Sequence, residues 1–217
     1  MSDVKQNLKK DKTGSERYQI QLKVDNNIKP TLKGSFLGGV PFVPKSMDFA
    51  RNKKGQVLPL MCQINFAEMP AIPGYPREGL FQLFVTQGPD CIFDDFVGDD
   101  VVIRFLKVEQ LLEEQRDMSE YDANIRPWLF QWTIDKPVKT LVGTKKDYHV
   151  KSADTIGGKP SFIQARAYKF LENFIQFRST QENGLMIGDC GIMHIFLRQK
   201  EIDEFNFEKA VFFFDCG

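Results

Sequence analysis

A strand-rich α+β fold, with mostly antiparallel sheets and few short helices, is what this 217-residue sequence predicts. Three observations predict it. Tyr18, Ile20, Leu22 and Val24 alternate with polar residues, the period of a strand with one wet face. Further along, apolar runs of strand length are separated by glycine and proline clusters. Several of these blocks recur in the same order about 110 to 120 positions later.

Residues 1–15 are polar and aperiodic and read as an N-terminal tail ahead of one domain over 16–217. After the first strand comes Phe36-Leu37-Gly38-Gly39-Val40-Pro41, in which glycines admit left-handed backbone and proline holds the chain extended. Leu58 to Phe66 and Gly79 to Thr86 read as an antiparallel pair, since the three prolines between Met69 and Pro76 rule out a continuing ladder or helix. Asp99 to Leu106 is a further strand. Val108 to Met118 carries Leu111, Leu112 and Gln115 at helical spacing and predicts a short surface helix. Arg126 to Ile134, with Trp128 and Trp132 on one face, reads as a strand, and Lys136 to Ser152 as a polar stretch with one or two short extended pieces.

The repeat is specific in its offsets. Phe36 to Pro41 matches Thr155-Ile156-Gly157-Gly158-Lys159-Pro160 at 119 positions. Met61-Cys62-Gln63-Ile64 matches Phe174-Ile175-Gln176-Phe177 at 113, and Gly79 to Val85 matches Gly191 to Leu197 at 112. Two degenerate repeats, about 33–106 and 153–217, are therefore expected to share one core, each closing on a strand, Val101 to Leu106 and Ala210 to Asp215.

These blocks, with Gly188-Asp189-Cys190-Gly191 and Phe205-Asn206-Phe207-Glu208, resemble the YwqG-like family, a mostly bacterial domain of unknown function. The resemblance covers about 33–217, implies a cytoplasmic α+β fold and supplies no activity.

Composition narrows the function classes. Charged residues make up 27 % and net charge is zero, yet 1–54 carries +7, 55–132 carries −8 and 133–217 carries +1. Without a basic surplus interleaved with aromatics the chain does not read as a nucleic-acid binder, and the opposite blocks are expected to face each other. No apolar run reaches the roughly 20 residues of a membrane span. Cys62, Cys91, Cys190 and Cys216 show no close pairing, which fits reduced thiols in a cytoplasm.

Candidate site residues are few. Gln63 and Gln176 lie in apolar strands at matched positions, where an amide can bond a ligand or the neighbouring chain. His194 replaces the matched Gln82. Asp189 and Cys190 sit between glycines that could expose a thiol, and with His194 or His149 they are the only nucleophile-like set, the basis of an alternative reading as hydrolase or transferase. With two histidines, no Walker or GxGxxG context, and an acidic run from Asp90 to Asp100 that lacks the calcium-loop pattern, no metal or cofactor is expected. The primary reading is a non-enzymatic binding or interaction module that uses a cleft between the repeats or an exposed strand edge to take a protein or small-molecule partner, with Gln63, Gln176, Asp189 and His194 as the candidate binding residues.

Overall fold

In the computed structural model, residues 18–86, 101–124, 138–148, 150, 152–164, 171–185, 187 and 190–215 are described. Ten strands form among them: β1 Gln19–Asp25, β2 Phe36–Leu37, β3 Leu60–Asn65, β4 Leu80–Val85, β5 Val101–Leu106, β6 Lys139–Lys146, β7 Asp154–Gly157, β8 Glu172–Arg178, β9 Ile192–Leu197 and β10 Val211–Asp215. All belong to one antiparallel sheet ordered β10-β9-β8-β7-β1-β6-β2-β3-β4-β5. The described helices are short: α1 Val108–Leu111, α2 Ser119–Asn124 and α3 Gln199–Asp203, with 3₁₀ turns at Phe66–Glu68 and Phe207–Lys209.

The expected α+β class is thus corrected. The protein is mostly β, one sheet curled into a nearly closed barrel. The helix expected to run from Val108 to Met118 stops at Leu111 because its downstream backbone is taken by a neighbouring loop: Pro44 bridges to Gln115, and the Arg116 N–H donates to Val43 O. The strand expected around Trp128 and Trp132, the acidic run from Asp90 to Asp100, and His149 lie outside the described residues. The polar stretch from Lys136 to Ser152, expected to hold only short extended pieces, contains the eight-residue central strand β6.

The strand order reads the same from either end. β2 to β5 form one meander and β7 to β10 the other; β1 inserts beside β7 while β6 inserts beside β2. Registers repeat too: Phe36 faces Thr140 across β2 and β6, and Gln21 faces Thr155 across β1 and β7, each residue displaced by 119 from its counterpart. Both β3 and β8 carry a bulge, at Leu60/Cys62 and at Asn173/Ile175, which turns Met61 and Phe174 into the core.

Curling brings opposite parts of the sheet together. From β8, the Phe174 ring centroid lies 5.4 Å from Phe81 of β4, 5.0 Å from Phe207 and 5.8 Å from Tyr75 of the proline-rich connector. The connector therefore plugs the barrel, and the Tyr75 hydroxyl donates to Asn173 O at 2.8 Å. β4 and β9 are buried at every position, because loops cover the outer face as well. That is why both read as apolar runs, broken by Gln82 and His194 alone, rather than as alternation. The basic block meets the acidic one where Arg51 pairs with Glu120 and Lys45 with Glu114.

Gly143 marks the tightest crossing in the central pair. A Cβ there would lie 2.7 Å from Ile20 Cγ2 and 2.6 Å from Met69 Sδ. Gly143→Ala is expected to lower unfolding free energy by about 1–3 kcal/mol, read from the urea midpoint at unchanged slope.

Candidate functional site

The matched glutamines lie on the outer face of the sheet, where the Gly-Gly loops fold over it. Gln63 is completely engaged: its Nε2 donates to Leu32 O and Gly34 O at 3.0 and 2.9 Å, and its Oε1 accepts from the Phe42 N–H at 3.1 Å and from Gln82 Nε2 at 2.8 Å. Gln82 also donates to Phe42 O at 2.7 Å. Each loop leaves and re-enters the sheet within a few residues, so its backbone groups would be orphaned in a buried place; the amide supplies both donor and acceptor. Gln176 performs the same service, donating to Ala153 O and accepting from the Ser161 N–H, both at 2.7 Å. These two residues are latches. Gly38, Gly39, Gly157 and Gly158 all hold φ between 67 and 78°, the left-handed turn that each latched loop requires.

His194 stands where Gln82 stands in the other half, opposite Gln176 in register. It is 0 % exposed, enclosed by the rings of Phe162, Phe196 and Phe213 at 4.9, 5.4 and 5.9 Å. Neither ring nitrogen has a hydrogen-bond partner among the described residues. Burial, with the Arg178 cation adding to it, pushes its pKa down to about 3, so the imidazole is neutral at physiological pH.

Cys190 is exposed and holds φ of 62° in the turn before β9, whose Gly191 N–H donates to Ile187 O. A strand rises about 3.3 Å per residue, so His194 lies roughly 13 Å along and inside the protein, beyond reach of that thiol. Asp189 lies outside the described residues. Gln63, Gln176 and His194 are therefore placed under the two loops, and the histidine does not join Cys190. Among the described residues no three His, Cys, Asp or Glu side chains converge as metal ligands, and no helix is long and apolar enough to cross a membrane.

Two features were assigned to no residues by the sequence. The carboxyl of Asp154 accepts from the Arg178 N–H and from Asn183 Nδ2, both at 2.8 Å, yet desolvation lifts its pKa to about 6. The other feature is a groove of about 480 Å³ along β5, lined by Met47, Val101 to Phe105, Phe205, Phe207 and Glu208. β5 pairs with β4 on one side and, among the described residues, with nothing on the other. A separate cavity of about 360 Å³ beside Arg51 is more polar, and its guanidinium is committed to Glu120 and Gly55 O.

Residues 35–216 match the family model described as a domain of unknown function (DUF1963), and the chain belongs to that family. No curated protein matches it significantly.

The latches and the histidine predict distinct losses. Gln63→Ala orphans more buried groups than Gln176→Ala and is expected to cost roughly 2–4 kcal/mol, the larger of the two losses by chemical denaturation. His194→Gln should restore the bonds that Gln82 makes. It should also remove an acid sensitivity: the folded pKa of about 3 lies below the unfolded value near 6.5, so the parent is fully stable above pH 6.5 and loses stability as pH falls from there towards 3. Between pH 7 and 5 that loss is about 2 kcal/mol. Denaturation of parent and variant at both pH values cancels the opposite, shared contribution of Asp154.

Proposed function

We propose that this member of the DUF1963 family is a binding module without catalysis of its own, and that it takes an extended segment of another protein along the open edge of β5. The observation that carries the reading is an edge of β5 that pairs with no strand among the described residues and runs beside a groove lined by Phe105, Phe205 and Phe207. Such an edge offers a row of backbone N–H and C=O groups spaced for another strand, and the aromatic cluster of Phe105, Phe205 and Phe207 on one side of it gives alternate side chains an apolar surface. The strand is also firmly held: its inner residues Val101 and Ile103 belong to the core, and Arg104 donates to Asp48 O at 2.6 Å.

The hydrolase or transferase alternative loses its described base with the burial of His194. The reading extends to a YwqG-like, bacterial and cytoplasmic protein that arose by internal duplication. The unpaired, buried Cys62 thiol supports a reducing compartment, and the matched latches, bulges and strand exchange support the duplication.

Selection of random 12-residue displayed peptides on the whole chain tests the proposal. Backbone N-methylation of a selected peptide, one residue at a time, should weaken binding tenfold or more at every second position, since only alternate N–H groups of an added strand face the edge. Loss without that period, or no selected peptide, would sink it.

A further inference from the structure

We propose that Phe205 is the specificity-determining residue of the β5 groove, held on its lip by an unfavourable helix stop so that its ring receives a large apolar side chain, with Lys107 beside it receiving a carboxylate. The inference rests on the groove reading above. α3 ends in a Schellman motif: the Asn206 N–H donates to Glu201 O at 2.8 Å and the Phe205 N–H to Ile202 O at 3.2 Å. That geometry puts Phe205 in the position glycine normally fills, at φ of 56°. A bulky residue there meets a steric cost that glycine escapes. Helix termination alone gives no reason for phenylalanine.

The ring does not withdraw into the core either. Phe205 stays 41 % exposed, 5.1 Å from the half-buried Phe105 of β5, and lines the groove. Lys107, the residue after β5, places Nζ 5.7 Å from the centre of the Phe205 ring, is exposed, and has no carboxylate partner among the described residues. Edge backbone, an aromatic lip and an unneutralised ammonium together fit one occupant: an extended segment that carries an aromatic or large aliphatic side chain next to an acidic one.

The test selects the random 12-residue library in parallel on the parent chain, Phe205→Gly, Phe205→Asn and Lys107→Gln. Parent-selected peptides should share a large apolar residue with an acidic neighbour. They should bind both Phe205 variants at least tenfold more weakly, while Lys107→Gln loses only the acidic preference. Melting temperatures of the two Phe205 variants should equal or exceed that of the parent, because the left-handed strain is relieved. A lowered melting temperature in both would assign the ring to packing and overturn the inference, as would parent-selected peptides that bind the variants equally well. If the parent selects no peptide, the groove reading itself fails, an outcome distinct from peptides that bind and ignore Phe205.

Discussion

Everything in this sheet hangs on the pairing of β1 with β6. Those strands match over seven residue pairs, from Gln19 with Lys146 to Asp25 with Thr140, and each then pairs outward with the meander of the other half. Without them β2 to β5 and β7 to β10 would be two four-stranded sheets, each with an apolar face and nothing to cover it. Exchange of the first strands joins the halves by backbone bonds, and the curl that follows lets each half's apolar face bury the other's. Gly143 and the connector residues Met69 and Pro70 show how closely the layers are pressed there.

The outer face follows from the same economy. A two-residue strand such as β2 cannot hold its flanking loop by ladder bonds alone, so the side-chain amide of Gln63 on the adjacent strand β3 does it. The half with Gln82 has a closed network, and the half with His194 does not. There the latch Gln176 keeps only its two loop bonds, and the space is filled by aromatic rings around a neutral imidazole. Unpaired buried nitrogens cost stability that packing has to offset, which makes this half the acid-sensitive one.

Much of the fold was legible because strand burial leaves a plain signature. The alternation from Tyr18 to Val24 became β1, and the runs around Gln63 and Leu83 became β3 and β4, paired as expected. Gln63, read as an amide able to bond a ligand or the neighbouring chain, bonds the chain. What the sequence hid was context. β6 is rich in lysine and threonine because its far end is wet, and only its neighbours on both sides make it a central strand. The class was missed because local helical spacing at Leu111, Leu112 and Gln115 was overridden by a loop 70 residues upstream. The groove was invisible for a similar reason: Phe205 belongs to one meander and Phe105 to the other. A sequence signal for it did exist, namely a helix from Gln199 to Asp203 followed by phenylalanine where a glycine stop is usual.

Where the halves differ is where a partner could be told from solvent. At the end of β10, Asp215 accepts from the backbone N–H groups of Ile163 and Gln164, so the loop after the Gly-Gly turn is fastened to that strand. Its counterpart at the end of β5 is Leu106, which has no acceptor to offer, and the corresponding loop turns instead to Glu114 and Gln115. Where one half pairs Phe213 with its enclosed histidine, the other pairs Arg104 with the latched Gln82. Leucine at the end of β5, where the other half has a carboxylate, removes the side-chain anchor that fastens the loop to β10, and Phe205, held against its backbone preference, shapes the groove along β5.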